Sequence, residues 1–385
     1  MNILIFIIIL GVLIFVHELG HFVVAVRNGI KADEFGFGFP PRIFGFVRDE
    51  KTGKFKFVFG NKKIESANTI YSINWIPLGG FVKIKGENGE GEDEKDSFAG
   101  KSAWIRIKVL SAGVLMNFLL AWFLFFVIFA IGAPESISDD ANVVSAKVQV
   151  SQVLENTPAM EMGLKVGDEI SRLCVVGGSG CISIKKVVQV QDFVSANKGG
   201  EILMEIKRGT ETLKLQGTPR LEYPADQGSL GISLARTAMV KYPWYQSITK
   251  GFMAVVDFVM MILGALFALV KMIFVKSSAP LDISGPVGIA IITKQVAALG
   301  LVYVLQFVAI LSINLGIINA LPFPALDGGR IFFILIEKIK GSPVSKHFEQ
   351  LAHTAGFLLL IILMIVVTFR DIANLGFFEK IMNFF

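Results

Sequence analysis

Long apolar stretches alternate with polar segments along this chain, and the alternation predicts its main elements. Four stretches are each near the ~20 residues that a membrane-spanning helix requires. They cover residues 2–26, 103–133, 301–321 and 352–369. We therefore expect a multi-pass α-helical membrane protein with four transmembrane helices.

A fifth apolar stretch, residues 247–275, contains the charged residues Asp257 and Lys271. A fifth crossing would place Asp327, which follows the third span, on the membrane face away from the basic first loop. We favour an amphipathic helix that lies in the membrane interface. Hydropathy alone does not separate this helix from a fifth span, so both alternatives stay open.

The segment between the second and third spans has the composition of a soluble domain. Within residues 142–220, short runs of alternating apolar and polar positions, such as 143–148 and 202–206, are typical of strands. We expect one inserted α+β domain there, which divides the membrane domain into two parts. The first membrane part is predicted at 1–141 and includes a loop at 27–102. The inserted domain follows at 142–220. The second membrane part is predicted at 221–385, and it begins with a linker and the amphipathic helix at 221–286.

The composition agrees with a membrane protein, because 53% hydrophobic residues, 34 Phe and only 18% charged residues exceed what a soluble core of 385 residues needs. The net charge of +5 is modest, and we expect no nucleic-acid partner. From Arg27 to Lys101 there are 13 Lys or Arg, whereas no charged side chain precedes His17. By the positive-inside rule, the first loop is cytosolic, and the N-terminus and the inserted domain lie outside.

The first apolar stretch carries the sequence HELGH at residues 17–21. Histidines four apart on a helix project from one face, so His17 and His21 can bind one metal ion while Glu18 acts on a water molecule at that metal. Ionisable groups at membrane depth are costly and are functional by default. The pattern therefore predicts a zinc hydrolase site within the membrane. A transporter's proton relay is the less favoured alternative.

A catalytic zinc ion generally takes three protein ligands and leaves one position for water. The remaining histidines, His347 and His353, are six residues apart and would face different sides of a helix. Asp327 is the better candidate, since it lies in the sequence NALPFPALDGGR that ends the third span. The prolines there break helical hydrogen bonding, which is tolerated at membrane depth beside protein or a water-filled cavity. Asp327 alone would more often be a turn residue, so its ligand role depends on the pairing with the two histidines.

The H-E-x-x-H of the first span and the N-x-x-P-x-P-x-L-D-G of the third together resemble the site-2 protease family, and in particular its bacterial RseP-like branch. The resemblance covers essentially the whole chain, and the two motifs are far more specific together than either is alone. It implies an intramembrane zinc metalloprotease. His17, His21 and Asp327 would be the zinc ligands, and Glu18 would activate water.

Other segments resemble further parts of that family. The resemblance implies a role in substrate binding for three residues of the second motif, namely Asn319, Pro322 and Pro324. Residues 66–85 resemble the family's membrane-reentrant β segment, and the sequence GFGFP at 36–40 resembles its glycine-rich loop. The sequences TPA at 157–159, GL at 163–164 and GDEI at 167–170 resemble the S-P-A, G-L and G-D-x-I of a permuted bacterial PDZ domain. We therefore expect the inserted domain to be a single PDZ domain.

The two cysteines, Cys174 and Cys181, both lie in the inserted domain and flank a glycine-rich turn. On the external side of a membrane, such a close pair can close a hairpin disulfide. Two free thiols are the alternative. We favour the disulfide.

The resemblance implies regulated intramembrane proteolysis in the inner membrane of a bacterium. The substrates would be single-pass proteins already cut by another protease, such as a trimmed anti-sigma factor or a remnant signal peptide. The alternative is a non-proteolytic membrane PDZ scaffold or chaperone with a structural metal. Glu18 favours the enzyme, because a structural site needs no general base beside its ligands.

Overall fold

The computed structural model describes residues 2–49, 52–60, 66–143, 145–177, 180–209, 211–224, 227–275, 285–342 and 344–374. Residues 276–284 of the predicted linker and residues 178–179 between the cysteines lie outside this set. Two compact units make up the chain. The membrane unit comprises Met1–Phe125, Lys250–Lys294 and Gln306–Phe385, and the β unit comprises Phe126–Thr249 and Gln295–Leu305.

The first half of the chain contains two long helices, two short ones and nine of the strands. They are α1 (Asn2–Arg27), β1 (Ala32–Arg48), β2 (Phe55–Phe59), β3 (Ile70–Ile84), α2 (Ala103–Ile131), β4 (Ala133–Ser136), β5 (Lys147–Val153), α3 (Pro158–Glu161), β6 (Glu169–Val175), β7 (Cys181–Ser183), α4 (Val187–Ala196), β8 (Ile202–Arg208) and β9 (Glu211–Gly217). The second half is mainly helical. Its elements are β10 (Ile232–Val240), α5 (Trp244–Val275), α6 (Pro286–Leu299), α7 (Leu301–Ala320), α8 (Asp327–Lys340) and α9 (Lys346–Asn374).

Five of the described helices are long and apolar enough to cross a membrane. They are Leu4–Arg27, Ala103–Ile131, Trp244–Met272, Leu301–Ala320 and Lys346–Ala373. The four predicted spans correspond to α1, α2, α7 and α9, and α9 begins six residues before the predicted start at 352. The fifth stretch forms α5, which meets the same criterion of length and composition, so the number of crossings stays a prediction.

In the membrane unit, α5 has aromatic contacts with α2. The ring centroids of Trp122 and Phe252 are 6.2 Å apart, and the rings of Phe125 and Phe258 stack at 5.4 Å. Most of the large apolar side chains of α5 are nevertheless exposed, Phe267 among them at 72%. Such a helix surface suits contact with lipid, whether the helix crosses the membrane or lies in its interface.

A three-stranded antiparallel sheet in the order β2-β1-β3 follows α1. Glycines let its backbones approach closely: a Cβ at Gly36 would lie 2.3 Å from Ser72 Oγ, and one at Gly45 would lie 2.7 Å from Tyr71 O. Strand β3 packs directly on α1 in the same way, because a Cβ at Gly80 would lie 2.6 Å from Phe15 Cα. Of the three strands, β3 lies within the segment 66–85 that was predicted to be a reentrant β structure, and β1 and β2 lie outside it. Gly80 sets β3 against the helix that carries HELGH.

Burial alone would raise the pKa of the Glu34 carboxyl in this sheet, but hydrogen bonds from Arg42 and Ser72 hold that pKa below its ordinary value. Arg42 is 6% exposed, and its Nε donates to Glu34 Oε1 at 2.9 Å. The buried pair therefore keeps its opposite charges and ties two parts of β1 together.

The β unit is built around a sheet in the order β4-β10-β5-β6-β8-β9, with β7 paired to β6. Its core includes Val148, Ile170, Leu173, Ile202 and Met204, all at most 1% exposed. The sheet extends beyond the predicted domain limits of 142 and 220, because β10 pairs with β4 on one side and with β5 on the other. The predicted strand at 143–148 begins only at Lys147, whereas β8 begins at the predicted position, Ile202.

The turn sequence GD at 167–168 is fixed by a buried carboxylate. Asp168 is 1% exposed, and it accepts hydrogen bonds from Lys165 N at 2.8 Å and from Arg208 Nε at 2.8 Å. Cys174 and Cys181 face each other on β6 and β7 and form a disulfide bond. The unit is thus an α+β domain, and its assignment as a PDZ domain stays a prediction.

Candidate metal centre and active site

His17 and His21 lie one turn apart on the buried face of α1, at 7% and 6% exposure. Their Nε2 atoms are 3.1 Å apart. The Oδ2 atom of Asp327 is 3.0 Å from His17 Nε2 and 3.2 Å from His21 Nε2. Three donor atoms therefore lie close together, although Asp327 is 310 positions from His17 in the sequence.

Asp327 reaches this point because the chain bends between two helices of the membrane unit. Helix α7 ends at Ala320 and α8 begins at Asp327 itself. The two glycines after Asp327 allow a close approach: a Cβ at Gly328 would lie 2.3 Å from Leu321 O, and one at Gly329 would lie 2.2 Å from Phe323 O. The L-D-G-G sequence therefore lets the first turn of α8 pack on the residues that follow α7.

Helix α2 supports both imidazole rings from the other side. His21 Nδ1 is 2.9 Å from the carbonyl oxygen of Val109, and His17 Nδ1 is 3.1 Å from the side-chain amide nitrogen Nδ2 of Asn117, which is fully buried. Gly113 makes room for the rings, since a Cβ there would lie 2.4 Å from His21 Nε2. When Nδ1 is hydrogen-bonded as a donor, the lone pair of Nε2 is free for a metal ion.

The donor set fits zinc. Two imidazole nitrogens and one carboxylate oxygen are ligands that zinc prefers, and three protein ligands leave a position for water. The three residues form a group whose donor atoms all lie within 4.8 Å of one another. Both imidazoles have the outer hydrogen-bond partner that orients a metal-binding histidine.

Asn117 provides a first test of this arrangement. A ligating His17 carries its proton on Nδ1, so the acceptor that would hold the ring is the amide oxygen Oδ1 of Asn117. A half-turn of the amide exchanges Nδ2 for this oxygen, which has no other hydrogen-bond partner among the described residues. We expect Asn117→Leu to weaken zinc binding by ~10- to 100-fold, the usual effect of losing such a partner. The measurement is competition for zinc against a fluorescent chelator.

Asn314→Leu is the matched control for that variant. Asn314 also lies within an apolar helix, but its amide donates to Ile310 O of its own helix at 3.1 Å. Its replacement should leave zinc affinity within about threefold of wild type, far from the range expected at Asn117. Equal losses in both variants would contradict a specific role for Asn117.

A cavity of about 350 Å³ opens beside the three donor atoms. Glu18 lines it together with His17, His21 and Asp327, and its walls include Phe81 and Val82 of β3. A carboxylate thus faces the same space as the candidate metal ligands, next to the strand that packs on α1. This arrangement places a potential general base within the site.

The three predicted substrate-binding residues differ in position. Asn319 lines the cavity near the end of α7. Pro322 and Pro324 are not among its lining residues; Pro322 is exposed and lines a separate depression beside Gly328 and Ser111. Asn319 and residues 325–327 of the second motif therefore line the cavity. Pro322 and Pro324 lie in the segment that connects α7 to Asp327.

Two further residues, Glu87 and Asn117, lie at the site or beside it, and neither was predicted from the sequence. Glu87, from the acidic run 87–96, lines the cavity and forms an ion pair with Arg330, with Arg330 Nη1 at 2.5 Å from Glu87 Oε1. Asn117 was detectable in principle, because a polar side chain in the middle of an apolar span is itself a sign of function. The sequence offers no comparable sign for Glu87.

Two histidines, one aspartate and a neighbouring glutamate beside an apolar helix long enough to span a membrane form the kind of site that a membrane metallopeptidase uses. The chain belongs to peptidase family M50, the site-2 protease family, which it matches over residues 5–61 and 51–363. The protein is therefore a zinc metalloprotease and an integral membrane protein. The alternative of a non-proteolytic scaffold finds no support in this family membership.

Several named proteins are similar to this chain over nearly its whole length. A putative zinc metalloprotease of Clostridium perfringens is 34% identical over 363 residues, covering 94% of this chain and 95% of the relative. The regulator of sigma-W protease RasP of Bacillus subtilis is 31% identical, covering 96% of this chain and 98% of RasP. A putative zinc metalloprotease of Fusobacterium nucleatum is 33% identical, with 97% and 99% covered.

Proposed function

We propose that this protein is an intramembrane endopeptidase that cuts single-pass membrane proteins within their transmembrane segments. The observation that carries the proposal is that Asp327 meets His17 and His21 on α1, a helix that is long and apolar enough to span a membrane. A hydrolytic centre in that position acts on peptide bonds at membrane depth.

In this proposal, His17, His21 and Asp327 hold the zinc ion. When bound, zinc polarises the scissile carbonyl group and makes water a usable nucleophile near neutral pH. Glu18 accepts a proton from the attacking water and returns it to the leaving amine. The Nδ1 partners on α2, Asn117 and Val109 O, keep the two imidazoles in the orientation that this requires.

The substrate is held in extended form. A helical segment has its carbonyl groups in hydrogen bonds, so it must unwind locally before hydrolysis, and an extended peptide can then add to the edge of a sheet. Strand β3 lies at one edge of the β2-β1-β3 sheet, and its residues Phe81, Val82 and Ile84 line the cavity. A peptide that pairs with this part of β3 would pass the candidate zinc site and would contact Asn319, which lines the same cavity.

The natural substrates we propose are membrane stubs left by a first protease, such as a trimmed anti-sigma factor or a remnant signal peptide. Similarity to a protein named regulator of sigma-W protease supports this substrate class. The positive charge of the loop at 27–102 supports a cytosolic side for the catalytic end of α1 in a bacterial inner membrane. The β unit would then lie outside the cytosol and act as a PDZ domain that admits trimmed substrates.

A cleavage assay tests the proposal. The full chain is incubated in membranes with a tagged single-span protein that carries either a short external stub or a folded external domain. We expect the stub to be cut, with product ends that mass spectrometry places inside the span, and a chelator should abolish the cut until zinc is restored. Survival of several such stubs with zinc-loaded protein would contradict the proposal, and equal cutting of both substrates would contradict the filter role of the β unit.

A further inference from the structure

Residues 321–326 connect α7 to Asp327, and their conformation is unusual. Ala325 has a φ of +81°, one of two positive values at non-glycine residues in the described chain. Side chains with a Cβ disfavour this left-handed region. An alanine that adopts it two residues before a candidate metal ligand must be held there by its surroundings.

Helix α9 supplies that support through residues on one face. His353 Nδ1 accepts a hydrogen bond from the Ala325 amide at 2.8 Å. One turn further on, Gly356 lets the helix touch the preceding residue, since a Cβ there would lie 2.5 Å from Pro324 O. Residues three apart on a helix share a face, so both contacts come from the same side of α9.

The imidazole of His353 is itself held in place. Its ring packs beside Phe333 of α8, with ring centroids 5.5 Å apart. Because Nδ1 accepts a hydrogen bond, the proton of the neutral ring lies on Nε2. His353 therefore joins three neighbouring parts of the membrane unit: α9, α8 and the segment that leads to Asp327.

We propose that His353 is a positioning residue for the zinc site: its hydrogen bond to the Ala325 amide fixes the bend that delivers Asp327 to His17 and His21. The proposal rests on the ligand role proposed for Asp327. His353 contacts neither the donor atoms nor the cavity beside them among the described residues, so it acts only through the connecting segment.

The test compares zinc affinity of the purified full chain by competition against a fluorescent chelator. His353→Phe keeps a ring against Phe333 but removes the acceptor, and we expect zinc to bind ~10- to 100-fold more weakly, as for other partners that orient ligands. His353→Asn places an amide oxygen near the position of Nδ1 and should recover most of the affinity. At saturating zinc, the kcat of both variants should approach that of wild type.

A second pair of variants isolates the backbone conformation. Glycine adopts positive φ without steric cost. Ala325→Gly combined with His353→Phe should therefore bind zinc more tightly than His353→Phe alone. His347→Phe, on an exposed position of the same helix, is the matched control and should bind zinc as wild type does.

The outcomes separate this inference from the proposed function. If Asp327→Ala loses zinc while His353→Phe binds it normally, the positioning role is overturned and the ligand role stands. If His353→Asn is as defective as His353→Phe, or glycine at 325 brings no recovery, the effect is one of packing and the inference fails. If the phenylalanine variant does not fold, as judged by gel filtration and circular dichroism, the comparison of His353→Ala with His353→Asn decides in the same way.

Discussion

Glu18→Gln should slow peptide hydrolysis by at least ~10²-fold while the protein still binds zinc. Glutamine has nearly the shape of glutamate, but its amide cannot accept the proton of an attacking water molecule. Loss of a general base typically slows a reaction by ~10²- to 10⁴-fold, so we expect cutting of a single-span stub to fall by at least the lower figure. Initial cleavage rates in membranes, with zinc content measured on the same samples, give both quantities.

The zinc measurement decides how this result is interpreted. Glu18 is one residue from His17, so a disturbed helix would lower zinc content together with activity. Glu90→Gln is the control for a removed carboxylate, because Glu90 is exposed in the loop after β3 and should keep wild-type rates. A Glu18→Gln protein that cuts normally would exclude Glu18 as the base, and one that has lost zinc would assign it a structural part instead.

Much of the site could be predicted from local spacing. The i, i+4 pair of histidines needs only a helix, and the apolar composition of α1 ensures one, so His17 and His21 had to share a face. Asp327 was harder, because nothing in the spacing of residues 310 apart predicts a contact. Its ligand role was predicted from the need for a third donor and from the resemblance of the surrounding motif.

The supporting contacts could not be predicted in the same way. Whether Asn117 faces His17 depends on the rotation of α2 about its axis, and α2 is apolar on all sides, so no polar face fixes that rotation. The hydrogen bond from Ala325 to His353 depends on how α9 docks, and the sequence placed His353 in a different role, as a rejected zinc ligand. These contacts are long-range and follow from packing rather than from pattern.

The bounds of the β unit were likewise predictable where they depend on a local pattern and not where they depend on long-range strand pairing. Strand β8 was recognised from its own alternation of apolar and polar residues. Strand β10 was missed because it is separated from β9 by a segment rich in turn residues. It pairs with β4 and β5, and the paired residues are between 79 (Ile232 and Val153) and 107 (Val240 and Ala133) positions apart in the chain. Hydrophobic alternation indicates that a strand exists, but not which sheet it joins.

Asp327→Ala should remove zinc from the protein. With the carboxylate gone, only His17 and His21 remain as donors, and two ligands are fewer than zinc sites in proteins normally use. We expect affinity to fall by more than ~100-fold, the upper end for residues that merely support a ligand. Competition against a chelator measures this loss, and hydrolysis of the single-span stub should cease at ordinary zinc concentrations.

Asp327→Cys distinguishes a lost ligand from a lost fold. A cysteine thiolate is a strong zinc ligand, so this variant should recover zinc binding relative to Asp327→Ala. Asp33→Ala, which removes a carboxylate of β1 that pairs with Lys31 and Lys83 outside the site, should bind zinc as wild type does. If alanine at 327 leaves zinc affinity unchanged, Asp327 does not bind the metal, and its closeness to the two histidines reflects only an ion pair. Loss of zinc with alanine and recovery with cysteine would instead establish that position 327, at the start of α8, supplies the third ligand.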